Sequence, residues 1–345
     1  MKSAFLAAAS ILLCACVASS RTYSLDCATI HANCAQSGRM LVVGDSTDTQ
    51  ALLASMVAAA QRFEDLFGWT PPATALVPGG EISSAQAAAL HGAGFAIQLP
   101  WLTAADKARL KESTLRDQVA EQTKNLPEQV REAALQQALQ ALASQSGQSS
   151  SDDILDGALA HELGHLWFIS MYSRADSVRE RGHAYGGFAP DWLDETFAVM
   201  MESAALRIRR RDAFRAMEAG DIVPLNRFLS MTHPAADAAR TLQETMPAAD
   251  PSAASRIIIL TKDEAEEFLA QSGGDQAAQF YAQTQVFSDF VLSRAGTAQV
   301  YVSLADWLAD GGKFEAWLAA QGNDYKLPPT VQQLQQSWEA WLQAY

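Results

Sequence analysis

Cysteine is scarce in this chain of 345 residues, with 4 in all. Cys14 and Cys16 fall in the first apolar stretch, which leaves Cys27 and Cys34 beyond it. No cysteine remains for a thiol nucleophile or a cysteine-rich zinc site. Positive charge is also short: 25 Lys and Arg against 39 Asp and Glu give a formal charge of −14. The one basic run, Arg207 to Arg215, reads as a solvated helix face, so no nucleic acid and no anionic membrane surface is expected as a partner. Long apolar runs are missing too. Past the N-terminus nothing approaches the roughly 20 residues that a membrane helix needs.

What is present is a hydrophobic fraction of 49%, enough to bury a substantial core as one large domain or two lobes. Met1-Lys2 and the apolar stretch Ala4 to Val17 have the length of a signal-peptide core, which predicts an exported protein, in the periplasm or anchored at the outer membrane. Leu13-Cys14-Ala15-Cys16 approximates a lipobox. Residues 1–16 are therefore expected to be a signal, with Cys16 as the lipidated point of attachment to a membrane. Residues 17–38 form an N-terminal segment in which Cys27 and Cys34 are predicted to pair, in a compartment where disulfides persist.

Hydrophobic periodicity predicts a strand over Arg39 to Gly44, a helix over Thr47 to Phe67, and strands at Thr74 to Val77 and Phe95 to Trp101. A helical hairpin or insertion follows over Ala104 to Ser144, interrupted at Pro127; with its flanks it occupies 103–150. A polar run, Ser144 to Ser151, leads to Ser151 as a cap, Asp152 and Asp153 in a first turn, and a helix from Ile154 to Tyr172 that is apolar almost all round. Then come a glycine-rich loop, Arg181 to Gly187, a helix from about Asp191 to Arg211, and a proline- and alanine-rich connection around Pro247 to Ala254. The last hundred residues read as helices whose aromatics, Phe287, Phe290, Trp307, Trp317, Trp338 and Trp341, recur at helical spacing and belong to a core. The fold class is α+β, mainly helical, with a small N-terminal sheet and a helical C-terminal lobe.

Chemistry concentrates in His161-Glu162-Leu163-Gly164-His165. On a helix, positions i and i+4 share a face, so His161 and His165 can offer two imidazole nitrogens to one metal ion. Glu162 then flanks the ion without ligating it, where it can take a proton from an activated water and pass it to a leaving amine. A catalytic zinc needs a third protein ligand. A third histidine six residues beyond His165 would make a metzincin, but that position is Met171. Downstream, Pro190-Asp191-Trp192-Leu193-Asp194-Glu195-Thr196-Phe197-Ala198 offers acidic residues on a second helix, with Glu195 thirty residues past His165. Glu195, Asp191, Asp194 and the loop residue His183 all compete for the role. His31, His91 and His233 have no motif around them and read as surface or loop residues.

The two motifs together resemble those of the gluzincins, zinc metallopeptidases of the MA clan, in which a Trp-Leu-x-Glu segment supplies the glutamate ligand. The resemblance covers about Asp153 to Leu206, with weaker support from Gln279-Phe280-Tyr281-Ala282-Gln283. It implies a zincin-like fold over residues 39–345, with metal-site helices in 153–211 and a helical lobe in 212–345. It implies one zinc ion held by His161, His165 and Glu195, with Glu162 as general base, acting on a peptide or protein substrate. A tyrosine or histidine often stabilises the oxyanion in that family, and Tyr281 is the candidate here, ahead of Tyr185 and His183. The chain departs from the pattern at Thr196, where a glycine is usual, and in the longer spacing between motifs; neither change removes a ligand. Two other readings remain open: a non-catalytic envelope lipoprotein or binding module that keeps the fold, and a purely structural metal.

Overall fold

Strands that read as near-continuous apolar runs are buried on both faces, and Met40 to Val43 and Thr74 to Val77 are two such runs. The structure, a computed structural model, describes residues 33–44, 48–79, 81–146, 152–172, 188–234, 253–256 and 275–345. β1 (Cys34–Ser37) turns back through Gly38, at φ 56°, into β2 (Met40–Val43) as an antiparallel pair. Helix α1 (Thr49–Phe67) leads to β3 (Thr74–Pro78); β4 (Glu81–Ser83) and α2 (Ser84–Gly92) lead on to β5 (Ile97–Trp101). The four-stranded sheet has the order β1-β2-β3-β5, and its last two pairings are parallel.

Alternation divides the sheet between two cores. Met40, Val42, Leu76 and Ile97 face the main core with Leu53, Met56, Ala59, Phe63 and Phe67 of α1. Leu41, Val43, Ala75 and Val77 face a smaller core closed by Leu90 and Phe95. Cys34, at the sheet edge, is disulfide-bonded; Cys27 and the lipobox around Cys16 lie outside the described residues, as does Ser151 with most of its polar run.

A capping box, Thr103 with Asp106, starts α3 (Ala104–Thr123), which pairs with α4 (Glu128–Ser146) across the break at Pro127. Among the described residues none of this hairpin enters either core, and Leu126 and Val130 stay exposed. The main core lies instead beneath the sheet, around α5 (Asp152–Tyr172), α6 (Asp191–Met201) and α7 (Ala204–Arg215). A short α8 (Leu225–Phe228) follows, and β6 (Ala253–Arg256) pairs with β4. Strand β6 begins within the expected Pro247 to Ala254 connection. The chain closes with α9 (Asp275–Ala295), α10 (Gln299–Ala309), α11 (Phe314–Gln321) and α12 (Val331–Leu342). Phe287, Phe290, Trp317 and Trp338 are buried there, while Trp307 and Trp341 are partly covered.

The helix expected to run unbroken from Asp191 to Arg211 is two. Glu202 and Ser203 are extended, at φ −60°, ψ 157° and φ −60°, ψ 158°, and the Ser203 hydroxyl accepts from the Leu206 N–H at 3.3 Å. A serine cap satisfies an orphan donor of a new helix, so the chain restarts there at an angle rather than continuing. The basic run is corrected as well: Arg207, Arg210 and Arg211 are half-buried on the face that carries buried Phe214, while Arg209 and Arg215 are exposed.

Two contacts fix α5. Trp167 Nε1 donates to Thr74 Oγ1 at 2.8 Å, tying the helix to β3. On its other side Gly164 lets α6 approach so closely that an added Cβ would lie 2.9 Å from Ala198 Cα and 3.2 Å from the Phe197 carbonyl oxygen. Backbone cannot yield as a flexible side chain can, so Gly164→Ala is expected to destabilise the fold by about 1–3 kcal/mol, the usual range for overpacking. Chemical denaturation measures it; an unchanged midpoint would refute the close contact of α5 with α6.

Candidate metal centre

Helix α6 has no solvent-facing side, since all eleven of its residues are buried. Apolar residues explain most of that: Trp192 packs edge-on to Phe287 at 5.7 Å, and Phe197 stacks on Phe168 of α5 at 4.1 Å. The same helix nevertheless carries Asp191, Asp194 and Glu195. Asp191 sits in the first turn, where the helix dipole favours an anion, and accepts the backbone N–H of His233 at 2.7 Å. The other two carboxylates point at α5.

There they meet the histidine pair. His161 Nε2 and His165 Nε2 lie 3.2 Å apart. Each stands 3.6 Å from one oxygen of Glu195, whose side chain is wholly buried. The remaining ring nitrogens are held by carboxylates: His165 Nδ1 is 2.6 Å from Asp194 Oδ1, and His161 Nδ1 is 2.8 Å from Glu202 Oε1. Imidazoles that give their Nδ1–H to a carboxylate must turn an Nε2 lone pair the other way. Both lone pairs therefore face one point, together with Glu195. Ligand atoms of His161, His165 and Glu195 lie within 4.8 Å of one another.

Charge makes the same demand. Asp194, Glu195 and Glu202 are at most 1% exposed; among the described residues the guanidinium of Arg210 grips Glu202, and the charges of Arg62 and Arg207 also reach it. Three carboxylates buried this close together carry a cost in a low-dielectric interior, which protonation of His165 offsets in part when no metal is bound. A divalent ion between two imidazole nitrogens and a carboxylate would remove it, and this donor set suits zinc and its transition-metal neighbours. The residues fit a metal in their chemistry and charge, and a carboxylate braces each imidazole from behind.

Glu162 is exposed, one residue along α5 from His161, and its charge reaches His165. Tyr281 of α9 stands beside the pair, its ring centroid 6.1 Å from that of His161. His183 and Tyr185 lie outside the described residues. Of the competing ligands, Asp194 becomes the partner of His165 and Asp191 that of the His233 backbone.

Three participants escaped the sequence. His233 is in a loop, as expected, but it is buried rather than at the surface, 5.0 Å from the Tyr281 ring and 5.0 Å from Phe280. Burial, with the charges of His165 and His161, lowers it to about 4. Glu202 and Arg210 are the others; the available signal was Ser203, a capping residue that marks a helix start just after Glu202. No protein-family model, curated protein or solved structure matches the chain.

Burial alone would depress His165, but the hydrogen bond and charge of Asp194, with Glu195 and Glu162, raise it to about 9. A histidine raised on folding contributes stability that is complete below its unfolded value near 6.5 and is lost as pH rises through about 9. Metal-free protein should lose unfolding free energy between those values, by at most about 1.4 kcal/mol per pH unit. His165→Gln should flatten that slope, and a slope retained in the variant would mean that another group is responsible.

Proposed function

We propose that the chain is a zinc-dependent metallopeptidase of gluzincin type, hydrolysing peptide bonds in an exported setting. The observation that carries this reading is the convergence of His161 Nε2, His165 Nε2 and the Glu195 carboxylate, each imidazole backed by its own carboxylate. The resemblance of the two motifs to the gluzincins rests on the same residues. A disulfide-bonded Cys34 and the apolar stretch Ala4 to Val17 support export.

In this reading His161, His165 and Glu195 hold the ion, which when bound would polarise the scissile carbonyl and acidify a water. Asp194 and Glu202 fix the two imidazole tautomers. Glu162 carries the proton: it lies beside the ligands, yet is exposed and can exchange with solvent. Tyr281 supplies a hydroxyl for the developing oxyanion, with neutral His233 packed against it. Three protein ligands leave a coordination position open, whereas structural zinc sites are usually closed by four.

Purified protein should contain about one zinc per chain, and Glu195→Ala should abolish it. Glu162→Gln should keep the metal while losing roughly 10²–10⁴-fold in peptide hydrolysis. Full activity in that variant would refute the mechanism; bound metal without hydrolysis of casein or peptide libraries by the wild type would favour the binding module. Tyr281→Phe should lower kcat by about 10²–10³-fold with little change in KM; unchanged kcat would remove Tyr281 from the reaction.

A further inference from the structure

The carboxylate of Glu202 that meets His161 is also held by a third residue. Arg210 Nε donates to Glu202 Oε2 at 2.6 Å, and its Nη2 donates to Glu202 Oε1, the oxygen that lies 2.8 Å from His161 Nδ1. A two-point fork fixes the plane of a carboxylate as a single contact cannot. Glu202 sits in the extended break between α6 and α7, outside either helix, so backbone hydrogen bonding alone does not set its direction. Arg210, two turns along α7, reaches back to it. The same guanidinium lies over the Tyr281 ring, 4.5 Å from its centroid, so one side chain joins the break, α7 and α9 around the metal helix.

The geometry points to Arg210 as a positioning residue for the metal centre: through Glu202 it holds His161 in the tautomer and orientation that aim Nε2 at His165 and Glu195. This rests on the reading of the site as a metal centre. On the other side the partner of His165, Asp194, sits within α6 itself, whereas among the described residues it is the His161 side that is steadied by a charge borrowed from a neighbouring helix.

The test is Zn²⁺ affinity of the full chain, by competition with a chromophoric chelator, together with the absorption bands of the Co²⁺-loaded protein. Glu202→Gln, Arg210→Met, Arg210→Lys and the double variant Glu202→Gln/Arg210→Met are compared with wild type. Arg210→Met should weaken Zn²⁺ binding by about 10–100-fold, as removing an outer-shell partner typically does, and shift the Co²⁺ bands. The double variant should bind no more weakly than Glu202→Gln alone, since Arg210 acts through Glu202. Arg210→Lys keeps the charge without the fork and should show the loss with a thermal midpoint close to wild type, which carries the test if the methionine variant does not fold. Wild-type affinity and an unchanged Co²⁺ spectrum in Arg210→Lys overturn the proposal while leaving the metal centre intact. Multiplicative losses in the double variant also overturn it. A wild type that binds neither ion overturns the metal centre and this role together.

Discussion

Three carboxylates that cannot reach water are the constraint around which this molecule is arranged. Asp194, Glu195 and Glu202 lie in or beside a helix that is buried on every side, in contact with two imidazoles and one guanidinium. Such a cluster is tolerable only if each group is held where its partner is, because breaking one buried pair strands a charge at a cost of about 3–5 kcal/mol. That demand explains features that would otherwise look incidental. Gly164 brings α6 to backbone contact with α5, within reach of the histidines. The Trp167 to Thr74 bond anchors α5 to the sheet. The restart at Ser203 swings Glu202 back over His161 instead of carrying it away along a continuous helix.

The elements nearest the site were legible in the sequence for a simple reason: their signals are local. Short apolar runs gave β2, β3 and β5 to within a residue or two, and the all-round apolar run gave α5. The histidine pair is legible because i, i+4 on a helix is itself a geometry. Glu195 stands out as an acid inside an apolar helix. Glu202, Arg210 and His233 are different, since their meaning lies in partners on other elements: Arg210 spans a helix break, and His233 reaches the site from a loop. The break was missed because neither Glu202 nor Ser203 is a proline or glycine, and capping by serine competes only weakly with helix continuation when read without neighbours. The whole basic run was read as solvated because the partners of Arg210 and Arg211, Glu202 and Asp289, are contributed by other elements.

The C-terminal helices do more than complete the core. Gln283 of α9, almost wholly buried, accepts from the Val223 N–H at 2.9 Å and donates to the Val223 carbonyl at 2.6 Å. Gln335 of α12 accepts the Leu225 N–H at 2.6 Å. Two glutamines thus fix both sides of Pro224 and with it the entry to α8, whose exit leads to His233. Tyr281 lies two residues before Gln283 on the same helix, so the loop histidine and the tyrosine are registered to each other through α9.

Burial sorts these groups by what each can exchange. The imidazole nitrogens of His161 and His165 and the carboxylates that face them are shielded, so their orientation is set by packing. Glu162 is the acidic neighbour left open to water, though it shares a helix with both histidines. A proton carrier must return its proton to bulk solvent once per cycle, whereas a metal ligand must never be displaced by it. In the proposed reading the two duties can sit one residue apart because a helix turns about 100° per residue: the step from His161 to Glu162 crosses from the packed face to the open one. The pentapeptide therefore encodes an inside and an outside, and the choice of Leu163 and Gly164 between them keeps the inner face pressed against α6.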